Sequence, residues 1–231
     1  MDFIFMLTKS DRTVEDGLEV LDAVRPLGLK HLGFKDVGVG EPVLREMVKR
    51  IRDFGAQSYL EVVSTSREAA LASARIGVAI GVDHLLGGTH VDAILAATAG
   101  GSTRCYPFPG LPVGHPTRLG GSPALVESQC RAMMAQGCGG VDLLAYRATE
   151  ANPLELIRAA RRGLGDGRLI VAGSIDSAER IRAVAEAGAD AFTIGTAVLC
   201  GAYAPHKALL RSQLQAVLAD CEAARLPAAA G

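Results

Sequence analysis

The chain has 231 residues, 49% hydrophobic and 21% charged, with a formal charge of −1. That is enough apolar material for one sizeable core. A charge so near zero leaves no electrostatic footprint for nucleic acid or an anionic membrane, and neither is expected as a partner. The 27 glycines and the lack of tryptophan fit many short loops rather than an aromatic recognition surface. Cys105, Cys130, Cys138, Cys200 and Cys221 show no metal-ligand spacing and are odd in number, so they read as reduced thiols. No segment is apolar for long enough to span a bilayer. The apolar run 3–7 lacks the basic start and the length of a signal peptide, so a cytoplasmic location is expected.

Short apolar runs alternate with amphipathic stretches along the whole chain. A first strand is expected over 3–7, then a helix over 14–24 closed by Pro26 and Gly28. A second strand, 29–35, leads through Gly38-Val39-Gly40 to a helix over 42–54, with Pro42 suited to its first turn. The third strand is 57–63, and Ser64, Thr65 or Ser66 can cap the helix that runs to about residue 76. The fourth strand is 82–86, after which Gly87-Gly88-Thr89 opens a helix over 91–98. Strands five and six fall at 103–106 and 141–146.

The last third is the most regular. Leu169-Ile170-Val171-Ala172 stops at Gly173-Ser174-Ile175, and Asp176 or Ser177 can cap a helix whose apolar positions include Ile181, Val184, Ala185 and Ala187. Gly188 ends it, and Ala191-Phe192-Thr193-Ile194 stops at Gly195-Thr196. Eight such βα units predict an α/β fold, a (β/α)8 TIM barrel of eight parallel strands over residues 1–225, with 226–231 a frayed tail. The rival is an open doubly wound sheet. It would carry G-x-G-x-x-G after a strand, and no strand here does.

The segments VAGSI and AEAGADAFTIGTAVL, about thirty residues of the chain, resemble strands seven and eight of the ribulose-phosphate-binding (β/α)8 barrels. That superfamily includes the histidine- and tryptophan-biosynthesis barrels, thiamine phosphate synthase and N-acetylmannosamine-6-phosphate epimerase. The resemblance implies a phosphate site at Gly173, Ser174, Gly195 and Thr196. The residues themselves suit an anion, since glycines admit close backbone N–H approach and a helix N-terminus follows. FMN-binding barrels use a similar stretch for the flavin phosphate. The same glycines could also serve only as strand-to-helix turns.

The sequence departs from the individual families. Ala172 stands where the epimerase and the indole-glycerol-phosphate synthase place a glutamate, and Glu61 where both place a lysine. The paired aspartates of the histidine-pathway isomerase are missing, and FKDVGVG does not supply the Asp-x-Lys-x-x-Asp array of the decarboxylases. No individual family is matched.

Side-chain alternation locates the chemistry. Leu32 and Phe34 are apolar and face the helices, which turns His31, Gly33 and Lys35 inward with Lys35 at the top. Leu60 and Val62 do the same for strand three, turning Tyr59 and Glu61 inward. Adjacent strands lie about 4.8 Å apart, so Lys35 and Glu61 can meet at the barrel mouth. They are the candidate catalytic pair: a lysine whose pKa is lowered in a dry site can act as base or nucleophile, and a carboxylate can relay its proton. A structural ion pair is the bland reading. Asp36 either orients Lys35 or caps the turn, and Lys9, Asp11 and Arg12 are either surface charge or part of the substrate rim.

Candidate substrate-binding residues are Arg104 and Tyr106, expected to point inward together, Arg147 near the rim, and His115 and Arg118 in the long loop 107–121. That loop reads as a lid or, through its Pro-Phe-Pro stretch, as a subunit contact of a homo-oligomer. His84 and His90 are expected to flank the top of strand four without metal-ligand spacing, so no metal is expected. The reading is an enzyme on a small phosphorylated carbonyl compound, a lyase or isomerase of aldolase, isomerase or epimerase type. It would work through an enediolate or a lysine Schiff base and need no cofactor. The alternatives are an FMN-dependent oxidoreductase and a non-catalytic phosphate-ligand-binding barrel.

Overall fold

The computed structural model describes residues 1–64, 66–114 and 116–225. Eight strands run parallel in one sheet: β1 (Asp2–Met6), β2 (His31–Lys35), β3 (Gln57–Val62), β4 (His84–Gly87), β5 (Arg104–Tyr106), β6 (Gly140–Leu143), β7 (Arg168–Val171) and β8 (Ala191–Ile194). Their spatial order, β6-β7-β8-β1-β2-β3-β4-β5, is chain order wrapped into a ring. Backbone bonds from Gly139 N to Cys105 O (3.0 Å) and from Asp142 N to Pro107 O (3.1 Å) join β5 to β6 and close it. The chain is a TIM barrel, as its strand–helix rhythm predicts.

Alternation divides the core into two layers. Leu32, Phe34, Leu60, Val62, Val141 and Leu143 face outward against the helices. Ile4, Met6, Tyr59, Leu86, Tyr106, Ile170 and Ala191 fill the barrel interior as a separate cluster. The helical layer includes α1 (Gly17–Val24), α2 (Glu41–Asp53), α3 (Arg67–Ile80), α4 (Val91–Thr98), α5 (Pro123–Ala135), α6 (Pro153–Leu164), α7 (Ala178–Glu186), the single turn α8 (Thr196–Leu199) and α9 (Leu210–Ala223). Side-chain oxygens start several of them: Ser66 for α3, Ser122 for α5, Asn152 for α6 and Ser177 for α7 each accept a bond from a first-turn N–H. Among the described residues no helix is long and apolar enough to cross a membrane.

Two hairpins depart from the expected loops. Thr8–Lys9 pairs antiparallel with Arg12–Thr13 directly after β1, turning through Ser10 (φ 50°) and Asp11 (φ 59°). Serine and aspartate are common turn residues, and aspartate tolerates the left-handed region, but four paired residues are too few to show a period of two. The 107–121 segment is not structureless. Leu111–Val113 pairs with Arg118–Gly120, and Thr149 N donates to Leu119 O (3.0 Å), tying the hairpin to the segment after β6. Phe108 is buried, as are the flanking prolines, so the Pro-Phe-Pro stretch is core and offers no sticky surface. His115 and the 226–231 tail lie outside the described residues.

Helix α5 packs tightly on α6 at Gly163. A Cβ built on Gly163 would lie 2.3 Å from the Glu127 backbone oxygen and 2.8 Å from Cys130 Cβ. Gly163→Ala gains about 1 kcal/mol of helix propensity, but it forces two backbones apart in a packed layer, at a cost of about 1–3 kcal/mol. We expect net destabilisation in urea denaturation; a variant as stable as the parent would mean that α5 and α6 are looser than described.

Candidate active site

The site lies at the carboxyl ends of the strands, where barrels carry their chemistry. Lys35 ends β2, and Glu61 is its direct register partner on β3. Their ion pair measures 3.0 Å. The hairpin after β1 adds a partner from above: Asp11 Oδ1 meets Lys35 Nζ at 2.9 Å. Thr13 fixes that hairpin, because its hydroxyl donates to Lys35 O and accepts from Lys35 N, both at 2.8 Å. Asp11 in turn receives a two-pronged bond from Arg147, in the turn after β6, at 2.9 and 3.0 Å. Lys35, Asp11 and Glu61 are all nearly buried, with side chains 6%, 10% and 9% exposed.

Burial alone would push the Lys35 ammonium towards neutrality. The carboxylates of Glu61 and Asp11 outweigh it and hold the lysine pKa above its usual value. This reverses the expectation of a lowered lysine: the resting side chain is a firmly held cation. For Asp11, burial would raise the carboxyl, but Arg147 and Lys35 hold it far below the usual carboxylate range. The signs follow by linkage. Asp11 contributes stability above the ordinary carboxylate range and loses it as pH falls through its depressed value. Lys35 contributes below its ordinary value and loses it as pH rises through its raised one. The network is therefore intact throughout the neutral range.

A cavity of about 360 Å³ opens above this pair, lined by Asp11, Lys35, Glu61 and Arg147 on one side and by Gly173, Ser174, Gly195 and Thr196 on the other. The predicted catalytic pair and the predicted phosphate loops thus share one chamber. The chain turns sharply at its rim, with Gly173 at φ 80° and Ser174 at φ 58°, a sparsely populated region for a residue with a side chain. Glycine at 195 has a packing reason of its own. A Cβ there would sit 2.7 Å from Thr8 Oγ1 and 2.8 Å from Met6 O, where the end of β8 crosses the end of β1. Arg147 Nε would lie 2.5 Å from a Cβ on residue 173, so Gly173 leaves room for that guanidinium.

Other candidates separate. Arg118 is exposed on the second hairpin and lines a groove of about 500 Å³ that shares Arg147 and Ser174 with the chamber. Arg104 and Tyr106 do not reach the chamber. Arg104 is the first residue of β5 and exposed at the amino end of the barrel, while the Tyr106 ring packs in the interior cluster below. A strand three residues long cannot carry its first side chain to the opposite mouth. His84 likewise begins β4 at the amino end rather than flanking its top, and burial with the Arg168 charge pushes its pKa down to about 4. His31 donates to or accepts from the Tyr59 hydroxyl at 3.0 Å as a barrel-floor histidine. Asp36 points away from Lys35 and ties β2 to its neighbours by accepting from Val63 N and Ser73 Oγ. Among the described residues no three His, Cys, Asp or Glu side chains gather as a metal site.

Asp11, which the sequence left between surface charge and substrate rim, and Asp142, which lies outside the chamber lining, were not among the candidate catalytic and binding residues. Asp142 sits mid-strand on β6, between the outward Val141 and Leu143, so alternation does signal an inward carboxylate there. Nothing local signals that Asp11 folds over the mouth.

The fold is widely shared. Over 95% of this chain and 99% of the other, it superposes on orotidine 5'-phosphate decarboxylase from Pyrococcus horikoshii OT3, with TM-score 0.63 and 15% identity. A mandelate oxidase bound to (S)-2-phenylpropionate gives 0.67 at 14% identity, over 97% of this chain and 73% of that one. A native KDPGal structure gives 0.64 at 15%, over 97% and 94%. The likeness is one of fold. No family model matches the chain, and no curated protein matches it.

Asp11 is the joint between both cations. Replacing it with alanine leaves Lys35 and Arg147 short of a partner in a nearly buried site, which costs about 3–5 kcal/mol. A loss below about 1 kcal/mol in chemical denaturation would show that the first hairpin stands open in solution.

Proposed function

We propose that this chain is an enzyme that moves a proton beside the carbonyl of a small phosphorylated compound through an enediolate. The observation that carries this reading is the shared chamber, with Lys35 and Glu61 facing Gly173, Ser174, Gly195 and Thr196 across about 360 Å³. That volume suits a small sugar or keto phosphate. On this reading the phosphate lies against the two glycine loops, and the carbonyl oxygen turns towards the Lys35 ammonium.

Glu61 then takes the proton from the carbon next to the carbonyl. The C–H electron pair forms the C=C bond, and the carbonyl pair moves to oxygen, where the ammonium stabilises the developing charge. Returning the proton to the former carbonyl carbon, while the hydroxyl proton on the α-carbon's oxygen passes to the oxyanion, gives an isomer; returning it to the other face of the α-carbon gives an epimer. If Glu61 instead takes the proton of a hydroxyl on the β-carbon, that oxygen forms a C=O bond, the Cα–Cβ bond breaks to release an aldehyde, and its electron pair forms the same enediolate, the step of an aldolase. The two carboxylates that keep Lys35 charged favour this route over a resting lysine nucleophile. The fold's occurrence in a phosphate-substrate decarboxylase and in the KDPGal protein is consistent with such a site, by analogy only.

Proton exchange with solvent tests this. In D2O, a panel of keto- and aldose phosphates should contain one whose α-proton exchanges in the presence of the protein. Lys35→Met should slow that exchange by about 10²–10⁴-fold while inorganic phosphate still binds. A Schiff base trapped on Lys35 by borohydride would replace the enediolate with covalent chemistry. FMN binding that yields a yellow protein, with no exchange, would move the assignment to redox chemistry. Phosphate binding without exchange of any substrate would leave a non-catalytic binding barrel.

A further inference from the structure

Beneath the chamber lies a buried carboxyl group without a hydrogen-bond partner among the described residues. Asp142 is fully buried on β6, and neither of its side-chain oxygens has a hydrogen-bond partner among the described residues. Its strand neighbours Val141 and Leu143 pack outward, so its side chain enters the barrel interior. The register partner Ile170 on β7 and the rings of Tyr59 and Tyr106 belong to the apolar interior cluster. The charged groups that act on Asp142 are Glu61 from β3, Lys35 from β2 and Arg147 from the turn after β6.

A charge count is informative. Lys35 and Arg147 carry two positive charges, and Asp11 and Glu61 answer them in three close ion pairs. An ionised Asp142 would be a fifth, unmatched charge with no hydrogen-bond donor among the described residues, a costly arrangement for a buried carboxyl. Held as the neutral acid, it keeps the cluster balanced.

Resting on the proposed proton chemistry, we infer that Asp142 is a positioning residue: a carboxylic acid that stays protonated behind Glu61 and keeps Glu61 the single ionised base of the pair. In each turnover Glu61 gains and returns one substrate proton, while Asp142 keeps its own throughout. Burial, then the Glu61 charge, pushes the Asp142 pKa well above the ordinary carboxyl value. Two carboxyls near one another share one proton by the same logic.

The linkage sign is opposite to that of Asp11. A native state that binds a proton more tightly than the unfolded chain loses stability as pH rises, from the ordinary carboxyl pKa up to the raised native one. The isosteric Asp142→Asn removes this penalty. Measured side by side from pH 5 to 9, the melting temperature of Asp142→Asn should exceed that of the parent. The gap should widen by about 3–5 °C per pH unit within that window. A gap that is negative near neutrality, with the variant the less stable protein, would mean that Asp142 is an ionised partner of Lys35 or Arg147, and would overturn the inference.

A second measurement does not depend on the variant folding. In parent protein labelled with carboxyl-¹³C aspartate, one aspartate should keep the chemical shift of the protonated acid at pH 7. Full ionisation of every aspartate would overturn the inference. The positioning role has its own readout. With a substrate that exchanges its α-proton, the parent's exchange rate should fall as pH rises through the raised Asp142 pKa, and that of Asp142→Asn should not. A parent rate that does not fall there would overturn the role while leaving the protonation intact. If no substrate exchanges at all, the proposed function fails, and the melting and ¹³C results still decide whether Asp142 is neutral.

Discussion

A lysine ammonium held between two carboxylates inside a barrel mouth is the constraint on which the rest of the site depends. The cost of taking Lys35 out of water is large, and a single ion pair would not reliably offset it. Glu61 comes from the neighbouring strand by register, and Asp11 from a hairpin that folds back over the mouth. Because Asp11 also binds Arg147, the first hairpin, β2, β3 and the turn after β6 converge on one point. The chamber wall opposite the glycine loops is built by that convergence.

The same arrangement separates the roles of three acidic groups by environment alone. Asp11 is surrounded by cations and held ionised. Glu61 pairs with Lys35 and faces the chamber. Asp142 is buried behind them, without a donor among the described residues, and its carboxyl is driven towards the neutral form. Divergent carboxyl environments in one small site are a common basis for acid and base roles at neutral pH. They also cost stability, since a leucine or an asparagine at 142 would remove a desolvation penalty that packing alone gives no reason to carry.

Much of the fold was legible because a barrel repeats one strong pattern. Leu32-Gly33-Phe34-Lys35 and Leu60-Glu61-Val62 show period two, and period two fixes which side chains face inward. Adjacent strands in register then bring Lys35 to Glu61 with no further information. Where the pattern is short, alternation loses its hold. β5 is three residues long, and its reading placed Arg104 with the substrate when it lies at the opposite mouth. The two hairpins were invisible because their strands are two or three residues each. The charge state of Lys35 was out of reach for a different reason: it depends on Asp11, 24 positions away, folding over it. Gly195 is double-edged, since its place in the motif suggests an anion while its contact with Thr8 and Met6 already accounts for the missing side chain.

The most direct measurement is a crystal structure with the exchange-competent sugar or keto phosphate bound, collected with a variant such as Glu61→Gln that halts proton transfer. The phosphate should lie against the backbone of Gly173-Ser174 and Gly195-Thr196, with the carbonyl oxygen about 3 Å from Lys35 Nζ and the α-carbon facing residue 61. A phosphate seated elsewhere, or a carbonyl turned away from Lys35, would contradict a single chamber that both binds the phosphate and moves the proton.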